Sequence, residues 1–138
     1  MKALLILLPF TLLGACTPAV APSKQDAQTA VVVAGKAIRQ VSDLCAKHVL
    51  VTYDLPRAKQ CRDRYDVART MLADLAATVD AWGTSPPDAA HVACTVHHAL
   101  DLFELPRRDL EGEGETFPTW YEARNLAFFL GHCPEITP

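Results

Sequence analysis

The sequence predicts an all-α protein, an antiparallel up-and-down four-helix bundle. Three observations predict it. Apolar residues recur at alternating steps of three and four along most of the chain. Helix-starting and helix-stopping residues punctuate that pattern at Asp54-Leu55-Pro56, between Gly83 and Asp88, and at Pro106. Apolar–polar alternation, the mark of a half-buried strand, is arguable only over Val49-Leu50-Val51-Thr52-Tyr53.

The first helix is expected from Gln25 to about Val51, with Val31, Ala34, Ile38, Val41, Cys45 and His48 on one face. Asp54 is a plausible N-cap for the second, with Pro56 in its first turn. That helix has the cleanest stripe: Ala58, Cys61, Tyr65, Ala68, Leu72, Leu75, Val79 and Trp82, with Gly83 at the C′ position. Ser85 then caps the third helix, Pro86 takes its first position, and Asp88 completes a form of capping box. Ala89, Ala93, Val96, Leu100 and Phe103 would face the core, and Pro106 would end the helix. Arg107 to Glu115 reads as a charged, solvated loop whose acidic tip lacks the spacing of a calcium loop. Thr116 or Pro118 begins the last helix. Trp120, Ala123, Ala127 and Leu130 face inward, Tyr121, Leu126, Phe128 and Phe129 widen the apolar surface, and Gly131 ends it.

An internal match crosses this plan. Tyr53-Asp54-Leu55-Pro56-Arg57 and Phe103-Glu104-Leu105-Pro106-Arg107 share the pattern [YF]-[DE]-L-P-R. Each follows a C-x-x-H, Cys45 with His48 and Cys94 with His97. The match suggests two tandem αα-hairpins. Reuse of one cap chemistry at helix junctions explains its Leu-Pro part equally well.

The N-terminus carries different information. Met1-Lys2 precedes the apolar run Ala3-Leu4-Leu5-Ile6-Leu7-Leu8, and small residues follow at Gly14 and Ala15. This is the pattern of a secretory signal, too short for a spanning helix. Leu13-Gly14-Ala15-Cys16 resembles the lipobox of bacterial membrane lipoproteins. The resemblance covers these first sixteen residues. It implies cleavage before Cys16, lipidation of Cys16 with a diacylglycerol thioether and N-terminal acylation (the palmitate type of anchor), and a domain held in the cell envelope. Thr17, where such lipoproteins carry Asp when retained at the inner membrane, implies the outer membrane, with the domain facing the periplasm or the outside. The expected organisation is therefore a signal peptide over 1–15, lipidated cysteine and flexible tether over 16–25, helical domain over 26–134 and a tail over 135–138.

Removing the signal leaves 12 basic and 16 acidic side chains, with no basic stripe for nucleic acid. It also leaves four cysteines besides Cys16. An even number outside the cytoplasm points to disulfides. Cys45 and Cys61 are centred on residue 53, the first turn, and Cys94 and Cys133 on the Gly112–Gly114 region. Residues equidistant from a hairpin turn sit at equal height, which favours Cys45–Cys61 with Cys94–Cys133. The internal match offers Cys45–Cys94 as a competitor.

The same sulfurs could serve a metal. His91, Cys94, His98 and Asp101 share one face of the third helix, and Cys45, His48, Cys94 and His97 would form a Cys₂His₂ set from two helices. Zinc or another transition metal would suit either set. Structural disulfides are the favoured reading, without a cofactor. No catalytic motif stands out: Ser23, Ser42 and Ser85 are the only serines, none in a nucleophile elbow, and no phosphate-binding glycine loop occurs. The expected function is a non-enzymatic, lipid-anchored envelope protein that binds or supports an envelope partner, with metal handling as the alternative. An exposed apolar patch would mark the partner surface, for which Trp82, Trp120 and Tyr121 are candidates, though the core is their ordinary place.

Overall fold

The computed structural model describes residues 21–82 and 88–133. The signal run, Cys16, the expected caps Gly83, Ser85 and Pro86, and the tail over 135–138 lie outside them. Among the described residues the fold is all-helical: α1 (Lys24–Thr52), α2 (Leu55–Asp80), α3 (Ala89–Asp101), α4 (Glu104–Gly112) and α5 (Pro118–Leu130). The Val49–Tyr53 run continues α1 to Thr52 rather than forming a strand.

Each helix starts for a local reason. Ser23, expected in the tether, caps α1. Its Oγ accepts from the Asp26 backbone N–H at 3.2 Å while its own N–H donates to the Asp26 carboxylate at 2.7 Å. This reciprocal box satisfies two otherwise orphaned donors. The Ser23 backbone bond, then its hydroxyl, hold the Asp26 carboxyl below the usual carboxylate pKa. Asp54 caps α2 by accepting from the Arg57 N–H at 3.1 Å. Tyr53, just before it, turns the chain with φ 56°, in the left-handed region a bulky side chain rarely enters. Asp88 caps α3, accepting from the Ala90 N–H at 3.0 Å.

The segment after Phe103 departs from expectation. Pro106 does not simply close the third helix, and Arg107–Glu115 is not a free loop. Helix α3 stops at Asp101, and α4 starts at Glu104 with Pro106 in its first turn. The first backbone N–H groups of a helix have no intrahelical acceptor, so a proline there costs no hydrogen bond. Both Leu-Pro-Arg copies thus open helices. The second half of the chain holds three helices rather than one hairpin, so the bundle is four long helices with a short α4 across one corner.

Helix α1 packs against all the others, most extensively α2 and α5, while α3 packs on α5 and α2. The core is the expected stripes joined together: Val31, Ala34, Ile38 and Val41 from α1, Leu72, Leu75 and Val79 from α2, Val96 and Leu100 from α3, and Trp120, Ala127 and Leu130 from α5. Two ends result. The start of α1 meets the end of α2, where Lys24 Nζ donates to the Asp80 carbonyl at 2.8 Å and Gln28 to its carboxylate at 2.9 Å. The end of α5 joins them, because Gly131 passes over the first turn of α3. A Cβ there would lie 3.1 Å from Ala90 Cα, tight enough that the Ala90 backbone would have to give by a few tenths of an ångström. The opposite end holds the α1–α2 turn, α4 and the start of α5.

Two disulfides tie these elements. Cys45–Cys61 joins α1 to α2 with Cα atoms 6.5 Å apart, and Cys94–Cys133 joins α3 to the segment after α5 at 4.9 Å. This is the pairing favoured by hairpin symmetry. The loops they close span 16 and 39 residues, so chain entropy assigns them about 3 and about 4 kcal/mol. A non-reduced digest is expected to yield these two pairs and no Cys45–Cys94 peptide. The Cys45→Ala/Cys61→Ala variant is expected to lose about 3 kcal/mol in urea unfolding.

Candidate functional site

The densest polar arrangement is the corner where α3, α4 and α5 meet. The α4 segment Glu104–Arg107–Glu111 spaces acid, base and acid by three and four residues, so all three share a face. That face turns inward. Arg107 is buried, its Nη2 donating to Glu104 Oε1 at 2.6 Å and its Nη1 to Glu111 Oε2 at 2.5 Å and to the Tyr121 hydroxyl at 2.9 Å. The Tyr121 hydroxyl in turn donates to Glu111 at 3.0 Å. The guanidinium carbon lies 5.5 Å from the Trp120 ring centre and 5.4 Å from that of Tyr121. Burial opposes the charge on Arg107, but the bonds from Glu104 and Glu111 outweigh it and raise the pKa above the ordinary arginine value.

Arg124 of α5 extends the cluster. Its Nη2 donates to Asp101 at 2.5 Å and approaches Glu104 at 3.4 Å, while Nη1 donates to His97 Nδ1 at 3.0 Å. Glu104 therefore bridges two guanidiniums. With Nδ1 accepting, His97 carries its proton on Nε2, which is buried without a hydrogen-bond partner among the described residues. The His97 ring meets Phe128 edge-on at 4.8 Å. Burial, then the Arg124 charge, lower the His97 pKa below 6.5, and Asp101 only partly offsets them. Glu104, Glu111 and Asp101 each engage an arginine, so the arrangement ties α3, α4 and α5 together.

The cysteines and histidines do not gather as the metal sets require. Cys94 gives its sulfur to Cys133, Asp101 gives its carboxylate to Arg124, and His91 is exposed. Cys45 is bonded to Cys61, His48 Nδ1 sits 2.7 Å from Glu113, and His97 faces Arg124. Among the described residues no group of three or more His, Cys, Asp or Glu is arranged to hold a metal ion. No helix among them is long and apolar enough to cross a membrane.

The acidic tip is pinned to the far end of the bundle. Glu113 reaches His48 of α1 and, at 3.5 Å, Arg57 of α2, while Gly114 turns the chain at φ 99°. Beside it lie exposed apolar side chains: Val51 at 76%, Tyr53 at 85% and Leu55 at 72% on the α1–α2 turn, and Leu105 at 61% on α4. Leu105 and Pro106 share a 360 Å³ cleft with Pro56 and Arg57, so parts of the two Leu-Pro-Arg copies line it together. The residues expected to mark a partner patch sit elsewhere. Trp120 is core, Trp82 is half-buried against the core, and Tyr121 is exposed but bonded to Arg107 and Glu111. Phe128 and Phe129 point outward instead, at 65% and 59%. The repeated Leu-Pro-Arg pattern is the sequence signal nearest to this end of the bundle, though it points to helix starts and not to exposed side chains.

No family model matches this chain, and no curated protein or solved structure matches it significantly.

The clamp has measurable consequences. Arg107→Met keeps the aliphatic stem but removes the guanidinium shared by Glu104, Glu111 and Tyr121, and is expected to cost about 3 kcal/mol in urea unfolding. The exposed Lys59–Asp63 pair is the control: Lys59→Met is expected to cost less than about 0.5 kcal/mol. His97 adds a pH dependence. Its folded pKa is lowered, so its contribution is complete above about 6.5 and is lost as pH falls below that value, where the unfolded chain takes up a proton the folded one resists. The stability difference between the wild type and His97→Gln should therefore shrink between pH 7.5 and 5.5, and an unchanged difference would rule the linkage out.

Proposed function

We propose that this chain is a lipid-anchored protein of a bacterial cell envelope, non-enzymatic, whose helical domain docks another envelope protein through the end of the bundle farthest from the anchor. The exposed apolar side chains at this end, Val51, Tyr53 and Leu55 on the α1–α2 turn and Leu105 on α4, carry this reading. Large apolar side chains left in water together mark association surfaces more than stability. Tyr53 is the least buried of them and is held out on a left-handed turn.

The placement of the cluster supports the docking role. Cys16 is seven residues before Ser23, so the lipid attachment lies within about 25 Å of the start of α1. Helix α1 has 29 residues and spans about 44 Å. A domain anchored at one end would carry its apolar cluster towards the interior of the compartment, within reach of a partner. Two disulfides suit an oxidising compartment, and the Leu-Gly-Ala-Cys resemblance supplies the anchor. Thr17 favours the outer membrane over the inner one.

Two measurements test this in cells. Cys16→Ser is expected to move the protein from the membrane fraction to the soluble envelope fraction. Photo-crosslinking residues placed at Tyr53 and at Leu105 are expected to trap the same product, lost when Leu55→Asp is added and absent from a probe at Val67. No product at either position, or an equal product at Val67, would end the docking proposal whatever the fate of the anchor.

A further inference from the structure

A second surface, on the flank of the bundle, has a different chemistry. Helices α1 and α2 leave a groove of 360 Å³ between them. Its floor is apolar, with Ile38 and Leu72 buried and Tyr65 half-buried beneath it. Gly35 forms one wall. A Cβ built there would meet no atom within 4 Å, so packing does not call for glycine. Glycine is disfavoured in a helix interior, and its effect here is to keep the groove open. Val32, one turn before Lys36, is 55% exposed at the margin.

The rim is cationic. Lys36, Arg39 and Arg69 line the groove and no carboxylate does. None of the three makes a hydrogen bond or ion pair among the described residues, although the chain carries 16 acidic side chains and a net charge of −3. An apolar floor beneath three unpaired cations is complementary to a molecule with an apolar tail and an anionic head. The volume lies at the small end of ligand sites, which suits one acyl chain and not two.

We propose that this groove binds a free single-chain anionic amphiphile of the fatty-acid class, its tail over Ile38, Tyr65 and Leu72 and its head between Lys36, Arg39 and Arg69. The site lies on described residues only and does not depend on the anchor or on the far-end docking surface.

The test uses the full chain carrying Cys16→Ser, so that no attached acyl chain competes, and a photoreactive dodecanoate. Cross-links are expected in the segments around Gly35 and Arg69, and excess plain dodecanoate should suppress them. Gly35→Leu, which fills the groove, and Arg39→Gln/Arg69→Gln, which strips its rim, are each expected to lower labelling about tenfold with the helical circular dichroism unchanged. The second variant changes only exposed side chains and keeps the test valid if the first disturbs packing. A photoreactive dodecanol should label the groove weakly. The proposal is overturned if the alcohol labels as well as the acid, if label spreads over all five helices, or if both variants label like the parent. It is equally overturned if a photoreactive two-chain phosphatidylglycerol in vesicles labels the groove as strongly, which would make it a bilayer contact.

Discussion

A helix that touches four others has to present small side chains on several faces, and α1 meets that constraint. Ala27, Ala30, Ala34 and Ala37 are buried along it, interleaved with Val31, Ile38 and Val41. The alanines let neighbouring backbones approach closely, and the branched residues fill the spaces between them. Because α1 is shared by α2, α3, α4 and α5, its direction sets that of the bundle. The ends of α1 then decide what lies together: the α2 terminus and the Gly131 crossing at one end, the α1–α2 turn and the acidic tip at the other.

The α3–α4–α5 corner solves a different problem. Nine residues of α4 offer little apolar surface, with Pro106, Arg107 and Leu110 as the buried positions. So short a helix gains little from propensity alone. Arg107 compensates by laying its guanidinium near the rings of Trp120 and Tyr121 and finding acceptors on its own helix and on α5. Removing a guanidinium from water is costly, and the arrangement holds because Glu104, Glu111 and Tyr121 together satisfy most of its donors. Arg124 repeats the device from the α5 side and gives the junction a fixed geometry.

This corner marks the limit of what the sequence displays. The long helices were legible because their core faces are runs of apolar residues at steps of three and four, and a stripe such as Ala68-Leu72-Leu75-Val79 has no other economical reading. The inner face of α5, Trp120, Ala123, Ala127 and Leu130, was legible in the same way, and Phe128 and Phe129 widen the apolar surface on its outer side because adjacent residues on a helix point about 100° apart. The Cys45–Cys61 pairing was legible because hairpin symmetry is geometric, and Cys94–Cys133 survives the insertion of α4 because α3 and α5 still pack side by side. Helix α4 was not legible, since one of its three buried positions is an arginine, which hydropathy counts as surface, and another is a proline; only the acid–base–acid spacing hinted at a helix. Nor could the groove be read beforehand, because Gly35, Arg39 and Arg69 are unremarkable singly and acquire meaning only when α1 and α2 are laid side by side.

The exposed apolar residues are not a by-product of a small core. The buried set is continuous from α1 through α5, and two crosslinks add to it. A domain secured in this way does not need Tyr53, Leu55 or Leu105 outside, and their exposure carries a standing risk of aggregation. Two features contain that risk. Arg57, Arg64, Asp54 and Asp109 surround the far-end cleft with charge of both signs, and the tight turn at Tyr53 prevents a flat edge. Charge around an apolar centre is also the layout of a protein–protein interface, where the rim sets orientation and the centre supplies affinity. The α1–α2 groove inverts the balance, with cations alone around its apolar floor, and that layout is what sets the amphiphile proposal apart from the docking one. The two surfaces behind the proposals thus differ in chemistry and in place, one at the tip of the bundle and the other on its flank, with α1 common to both.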